Sequence, residues 1–236
     1  MKPSNNLVPK HVGIILDGNR RFAKRLMLKP WKGHEWGAKK VEKLFDWCVE
    51  LDVKELTLFA FSLENFDRPK REFDFLMDTC KKEFTNLLKD KRIDKNKIQV
   101  NFVGRINMFP KDVYELMKEN MERTKNYDQY RINFAMAYGG KAEIVDATKK
   151  ISEQVKKGEL NVEDINEEIF SNELYNPSEP DLIIRTSESR LSGFLTYQGS
   201  YAEVIFLPNK LWPEFEKEDF VSCIEEYKSR KRRFGK

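Results

Sequence analysis

A carboxylate, a glycine turn and two cations follow one apolar run near the start of the chain. Residues 12–16 are Val-Gly-Ile-Ile-Leu, typical of a buried strand, and residues 17–19 are Asp-Gly-Asn. Arg20 and Arg21 come next, at the start of a helical pattern. Magnesium prefers carboxylate oxygen, and phosphate groups bind helix N-termini and arginine side chains. The segment therefore predicts a divalent metal on Asp17 beside a phosphate-bearing ligand.

Other apolar runs are also followed by polar segments. These segments are Ser62 to Pro69, with Glu64, Asn65 and Arg68; Tyr138 to Lys141; and Arg185 to Ser192, with Arg190. Since ligands of open α/β sheets bind at the carboxyl ends of the strands, we expect these side chains to converge. Their arginines suit phosphate oxygens, so they predict an anionic, multiply phosphorylated ligand. Glu203, at the start of the last run, is a second candidate acid.

The elements that must position these residues alternate along the chain. Apolar or β-branched runs occupy residues 12–16, 56–61, 98–103, 132–137, 182–184 and 204–207, and stretches of helical periodicity lie between most of them. This alternation predicts a single-domain α/β fold with a central, mainly parallel six-stranded sheet flanked by helices. We expect residues 1–10 to be a loose leader and residues 11–236 to form one domain.

Composition excludes some classes of function. The 43 basic and 39 acidic residues give a formal net charge of only +4, so total charge predicts no nucleic-acid partner. The three cysteines, Cys48, Cys80 and Cys223, lack metal-ligand spacing and favour reduced thiols. No apolar run has the length of a membrane helix, and residues 1–10 lack a signal core. We expect a cytoplasmic protein, peripheral to the membrane at most.

The ordered motifs resemble the cis-prenyltransferase family, the undecaprenyl and dehydrodolichyl diphosphate synthases. The matching segments are residues 11–24, 33–34, 61–69, 133–140, 181–192, 201–203, 211–213 and 232–235. The resemblance implies magnesium-dependent Z-prenyl chain elongation, in which isopentenyl diphosphate and an allylic prenyl diphosphate condense to a polyprenyl diphosphate. It also implies a hydrophobic tunnel, a homodimer and a transient contact with the membrane surface for product release.

The resemblance assigns a role to each candidate residue. Asp17 corresponds to the magnesium-binding aspartate and Glu203 to a second acid near the metal. Gly18, Asn19, Arg21 and His34 correspond to groups around the allylic diphosphate, and Arg20 is counted with them as a substrate-binding residue. Ser62, Glu64, Asn65 and Arg68 lie on a loop that orders over the substrates, with Asn65 as a catalytic residue. Arg185, Arg190 and Ser192 correspond to the isopentenyl diphosphate site. Arg233 and Gly235 correspond to the Arg-x-Gly tail that reaches the neighbouring subunit.

Two helical apolar faces are candidates for the tunnel wall. One contains Leu44 and Phe45, and the other contains Leu76, Met77 and Phe84. Their alternative role is ordinary core packing, and the periodicity does not separate the two roles.

Departures from the family pattern leave alternatives open. The segment 185–190 is one residue shorter than usual, and Gly193 stands where asparagine is common. An altered acceptor, a short product or a non-standard condensation therefore remains an alternative. A non-catalytic subunit is disfavoured because Asp17, Asn65 and Arg68 are all present. The all-helical trans-type enzymes use paired aspartates, and the sequence contains no Asp-Asp pair.

Overall fold

The computed structural model of the protein describes residues 8–230. The strands of its central sheet are β1 (His11–Ile15), β2 (Glu55–Ser62), β3 (Ile98–Val103), β4 (Tyr130–Tyr138), β5 (Leu182–Thr186) and β6 (Glu203–Leu207). Their order is β3-β4-β2-β1-β5-β6, and every neighbouring pair is parallel. Each predicted apolar run forms one strand. The predicted α/β fold with a six-stranded sheet is confirmed.

Helices connect the strands, and α8 follows the last one. They are α1 (Asn19–Arg25), α2 (Gly33–Glu50), α3 (Lys70–Lys89), α4 (Lys91–Lys95), α5 (Lys111–Thr124), α6 (Gly140–Lys157), α7 (Glu167–Asn172) and α8 (Lys217–Ser229). Among residues 8–230, no helix is both long enough and apolar enough to cross a bilayer.

The strands bury side chains on both faces of the sheet. Ile14 and Ile184 belong to the larger core cluster, which includes residues of α2, α3, α5 and α8. Ile15 follows Ile14 and Ile183 precedes Ile184, and both belong to a second cluster with Phe194. Because successive side chains of a strand point to opposite faces, the two clusters cover opposite faces. Such burial explains why the strands are continuous apolar runs.

The site-bearing segments meet where the sheet connectivity changes direction. β1 lies between β2 and β5, and Ile15 pairs with both Phe59 and Arg185. The segments that follow β1, β2 and β5 therefore leave the same edge of the sheet. A switch of this kind forms the ligand crevice of open α/β sheets.

Candidate active site

The main chain of Asp17 is held by two neighbouring segments. Its carbonyl oxygen accepts hydrogen bonds from Thr186 Oγ1 at 2.7 Å and from the backbone N–H of Trp212 at 2.9 Å. The next residue, Gly18, has a φ of 111°, and a Cβ there would lie 2.4 Å from Ser187 Oγ. Any larger residue at position 18 would be strained and would clash. Asp17 therefore sits on a turn that only glycine accommodates.

Two arginines contact the same oxygen of the Asp17 carboxylate. Arg185 Nη2 donates to Oδ2 at 2.9 Å, and Arg21 Nη2 lies 3.2 Å from that atom. Arg21 Nη1 also contacts Glu188 Oε1 at 2.9 Å. Arg185 Nη1 donates to Ser192 Oγ at 2.7 Å. Asp17 thus lies between a buried and a partly exposed guanidinium group, both of which suit diphosphate oxygens.

The donor set fits a magnesium ion shared with a substrate. Among residues 8–230, no group of three or more His, Cys, Asp or Glu side chains is placed to hold a metal. Magnesium bound through one carboxylate and substrate phosphates needs no such cage. Within the described residues, Asp17 Oδ1 makes no hydrogen bond, since both arginines contact Oδ2. Asp17 is therefore the residue that would hold the ion.

Close packing of α1 against α2 fixes Asn19 beside Asp17. Asn19 Nδ2 donates to the carbonyl of Leu16 at 3.0 Å. A Cβ at Gly37 would lie 2.2 Å from Asn19 Oδ1, and one at Gly33 would lie 1.9 Å from the Asn19 carbonyl oxygen. The two helices can approach this closely only because both positions are glycine. Asn19 Oδ1 is buried and has no hydrogen-bond partner among residues 8–230, so it is an acceptor that a ligand can satisfy.

His34 is a neutral group within a cationic cluster. Burial, and then the nearby guanidinium groups of Arg68 and Arg20, lower the pKa of His34 to about 3. Arg68 Nη1 lies 3.4 Å from His34 Nε2. A neutral imidazole facing a guanidinium accepts at Nε2, which assigns its proton to Nδ1. Arg68 in turn donates to the buried carboxylate of Glu72 at 2.7 Å.

The segment after β2 is ordered by its own side chains. A 3₁₀ turn, Leu63–Asp67, begins after Ser62, and Asn65 Oδ1 accepts the Ser62 backbone N–H at 3.1 Å. Asn65 therefore uses its oxygen to hold the turn that carries it.

These side chains line one end of a cavity of about 830 Å³. The predicted site residues in its wall are Asp17, Gly18, Asn19, Arg20, Arg21, His34, Ser62, Glu64, Asn65, Arg68, Arg185 and Ser192. Beyond them the wall is mainly apolar and comes from α2, α3 and the sheet. It includes Val41, Phe45, Phe61, Leu76, Cys80, Phe84, Leu87, Phe134 and Met136. A cationic mouth that continues into an apolar tunnel fits a diphosphate with a hydrocarbon tail.

A second polar region lies along the cavity wall at the end of α3. Asp90 and Arg92 line it, and the Arg92 side chain bonds both Asp90 and Asp46. Arg92 Nη1 also donates to the carbonyl of Glu42 at 3.2 Å. Ion pairs therefore border the tunnel far along α3 from the cationic mouth.

Known proteins match this architecture. A family model described as “Putative undecaprenyl diphosphate synthase” matches residues 15–235. The chain belongs to this family. The tritrans,polycis-undecaprenyl-diphosphate synthase (geranylgeranyl-diphosphate specific) of Thermoplasma volcanium is 47% identical over 231 residues, 97% of this chain and 89% of that protein. The Pyrococcus furiosus protein of the same name is 46% identical over 238 residues, 100% of this chain and 90% of that protein.

A solved structure agrees with the sequence relatives. Lavandulyl diphosphate synthase from Lavandula x intermedia, in complex with dimethylallyl diphosphate, matches with a TM-score of 0.93 and 32% identity, covering 98% of this chain and 100% of that one. The resemblance to the cis-prenyltransferases is confirmed. This cis-prenyltransferase is a transferase that elongates prenyl diphosphates.

Glu203, predicted as a second acid near the metal of the cis-prenyltransferase, lies far from Asp17 within the chain. Glu203 begins β6 and pairs with Leu182, which pairs with Val12. It therefore lies at the amino edge of the sheet, about 16 Å along the strand direction from Asp17. Its carboxylate contacts Arg230 Nη1 at 2.8 Å. Within one chain, Glu203 and Asp17 cannot share an ion.

Other predicted residues lie outside the cavity. The Arg190 side chain is largely exposed and pairs with Glu188 at 2.9 Å, and only its carbonyl contacts Arg185. Its substrate-binding role stays a prediction. Leu44 and Met77 are buried in the core and do not line the tunnel, unlike Phe45, Leu76 and Phe84. Arg233 and Gly235 lie outside the described residues.

Three residues of the cis-prenyltransferase site were not anticipated. Trp212 holds Asp17 through its backbone N–H and holds α2 through Nε1, which donates to the Gly37 carbonyl at 3.0 Å. Glu72 neutralises Arg68, and Glu188 neutralises Arg21. The spacing of Arg68 and Glu72, one helical turn apart, is a signal that sequence reasoning could have used.

Proposed function

We propose that the protein catalyses magnesium-dependent condensation of isopentenyl diphosphate with an allylic prenyl diphosphate to a Z-polyprenyl diphosphate. The observation that carries the proposal is one continuous cavity, in which a carboxylate and several arginines lead into an apolar tunnel. The allylic C1–O bond breaks and its electron pair leaves with the diphosphate. C1 then bonds to C4 of isopentenyl diphosphate, and a proton leaves C2.

The donor half of the site contains Asp17, Asn19, Arg21 and His34. Magnesium bound at Asp17 would neutralise charge on the leaving diphosphate. Arg21 stabilises the same negative charge as it develops. The neutral His34 can donate a hydrogen bond from Nδ1 without adding a positive charge. Asn19 offers an acceptor that has no partner within the described residues.

The acceptor half contains Arg185 and Ser192. The Arg185 guanidinium bonds both Asp17 and Ser192, so an acceptor diphosphate at this point would lie next to the donor site. Such proximity is what a condensation needs. Asn65 and Arg68 would close the segment after β2 over both substrates and exclude water. Arg190, Arg233 and Gly235 complete this half in our proposal.

We extend the proposal to the primer and the assembly. The relatives from Thermoplasma volcanium and Pyrococcus furiosus are named geranylgeranyl-diphosphate specific, and we assign the same primer to this chain. The tunnel supports a long primer, because α3 lines it from Leu76 to Leu87, about 16 Å of helix. We further propose that residues 11–236 act as one catalytic unit, that the enzyme is a homodimer, and that it contacts the membrane surface to exchange lipid substrates.

One assay tests the catalytic proposal. The full chain is incubated with magnesium, labelled isopentenyl diphosphate and primers of increasing length from dimethylallyl to geranylgeranyl diphosphate, and the products are sized. We expect elongation that is fastest with the geranylgeranyl primer and that stops when magnesium is chelated. No incorporation with any primer would overturn the proposal. Light scattering of the same sample tests the homodimer.

The same assay separates the alternative chemistry. A non-standard condensation would give a short branched product from five-carbon substrates alone, with no linear series. The shortened segment 185–190 is the sequence feature behind this alternative. The product's double-bond geometry, read by NMR, then distinguishes Z-elongation from any other linear condensation.

A further inference from the structure

Exposed apolar side chains cluster beside the mouth of the cavity. Among residues 8–230, nine large apolar side chains are exposed, and four of them lie within residues 26–36. These are Leu26 at 46%, Met27 at 94%, Leu28 at 41% and Trp36 at 39% exposed. Single exposed apolar residues are ordinary, whereas a cluster marks an interaction surface. We propose that residues 24–36, the α1–α2 corner, dock the enzyme on an anionic lipid bilayer.

The backbone holds the apolar tip of the corner in solvent. Met27 has a φ of 56°, a left-handed conformation that is uncommon for a side chain of this kind. Its N–H donates to the carbonyl of Lys24 at 3.0 Å, and the N–H of Leu28 donates to that of Ala23 at 2.9 Å. These bonds close α1 and fix the turn. The exposure of Met27 is therefore built into the fold.

The charge around this tip has one sign. Residues 20–32 contain six basic residues and no acidic one. Arg25 and Lys32 pair with Glu214 and Glu35. Lys24 forms no ion pair within the described residues. Apolar side chains that enter the acyl boundary, with lysines at the headgroup level, are typical of surfaces that bind anionic membranes.

The corner is close to the diphosphate mouth. α1 has seven residues and is about 10 Å long. Arg20 and Arg21 line the cavity at its start, and Leu26 follows its end. On α2, His34 lines the cavity two residues before the exposed Trp36. The ring centroids of Trp36 and Phe22 are 5.8 Å apart. Docking through the corner would place the mouth of the cavity at the membrane surface, at the level of the diphosphate group of a membrane-bound prenyl diphosphate. This inference rests on the proposed function.

Co-sedimentation with vesicles tests the proposal. The full chain is mixed with vesicles of phosphatidylcholine alone or with equal parts of phosphatidylglycerol. We expect binding to the anionic vesicles that weakens with salt. Met27→Ser should lower the partition coefficient about tenfold, because a buried apolar side chain is lost. The matched control is Met108→Ser, which changes an exposed methionine elsewhere and should bind as the wild type does.

A charge variant provides a second comparison. Lys24→Gln should weaken binding to anionic vesicles about fivefold and leave binding to neutral vesicles unchanged. Lys157→Gln removes the same charge from an exposed position at the end of α6 and should have little effect. Failure of the wild type to bind anionic vesicles would overturn the proposal. Equal losses in each variant and its control would overturn it as well.

Two readouts separate this proposal from its alternatives. Turnover of geranyl diphosphate in vesicle-free buffer should be unchanged in Met27→Ser and Lys24→Gln, because neither residue lines the cavity. An enzyme that binds vesicles but elongates no primer would contradict the proposed function and leave the docking surface standing. A change of molecular mass in Met27→Ser, measured by light scattering, would assign the corner to a contact between chains and overturn the membrane proposal.

Discussion

Arg185 donates from Nη2 to Oδ2 of Asp17 at 2.9 Å, across the carboxyl ends of neighbouring strands. The Arg185 side chain is buried, and Asp17 is the carboxylate it contacts. A buried guanidinium needs a counter-charge, so each residue depends on the other for its position. The contact also leaves Oδ1 as the oxygen for a cation. One ion pair thus joins the proposed donor and acceptor halves of the site.

We expect Asp17→Ala to abolish measurable turnover while the protein stays folded. The proposed metal ligand is lost, and charge on the leaving diphosphate is no longer neutralised at that point, a loss of at least about a hundredfold. The main-chain contacts of position 17 to Thr186 and Trp212 do not involve the carboxylate, so the turn is retained, although Arg185 loses its counter-charge and the free energy of unfolding decreases. Radiolabel incorporation and circular dichroism measure the two properties. Near-wild-type turnover with magnesium would contradict the metal role.

The neutral state of His34 predicts a dependence of stability on pH. The pKa of His34 is lowered to about 3 in the folded protein, against 6.5 in the unfolded chain. As the pH falls from 6.5 towards 3, the unfolded chain binds a proton that the folded protein does not. The free energy of unfolding then decreases, by up to about 1.4 kcal/mol per pH unit.

Replacing the imidazole by an amide should remove that dependence. In His34→Gln, the loss of stability between pH 7 and pH 5 should be about 2 kcal/mol smaller than in the wild type. Urea denaturation at the two pH values measures it. Burial also lowers the pKa of His11. The effect of His11 on stability is the same in both proteins and cancels in the comparison. Identical pH dependence of the two proteins would show that His34 is not held neutral.

The sheet was predictable because its strands are recognisable in the sequence, and most of the site was predictable because its residues directly follow those strands. A strand buried on both faces is a continuous apolar run, and parallel strands deliver the residues that follow them to one edge. The distance of Glu203 from Asp17 could not be predicted, because only the register with Leu182 places the start of its strand at the opposite edge of the sheet. The core positions Leu44 and Met77 could not be told from tunnel positions, because helical periodicity identifies a buried face without separating a tunnel from a core.

Gly37→Ala should disturb the donor site through steric contact alone. The added Cβ would lie 2.2 Å from Asn19 Oδ1 and 3.0 Å from Trp212 Cδ1, so Asn19 must move. We expect a loss of stability of about 1–3 kcal/mol and a higher KM for the allylic primer. Gly139→Ala is the control, since its Cβ would meet Leu63 Cδ1 at an ordinary 3.4 Å. Equal effects of the two substitutions would contradict the argument from close packing.

The ion pairs at the far end of the tunnel predict a limit on product length. A growing hydrocarbon tail that reaches Arg92 must separate it from Asp90 and Asp46 or stop there. Separating Arg92 from its two carboxylate partners costs free energy, because the hydrocarbon tail cannot solvate the charges. Arg92→Leu replaces the cation by an apolar side chain, so we expect longer products at an unchanged rate of the first condensation.

Chromatographic sizing of the labelled products, with a matched arginine variant, decides whether Arg92 sets this limit. Arg105→Leu removes a guanidinium that is equally exposed, at 35%, and that also pairs with a carboxylate, Asp146, at 2.8 Å. Arg105 does not line the cavity. Its substitution should therefore leave the product distribution unchanged, although both variants lose an ion pair of the same kind. If both variants gave the wild-type distribution, apolar side chains nearer the middle of the tunnel, such as Phe84, would have to stop elongation instead.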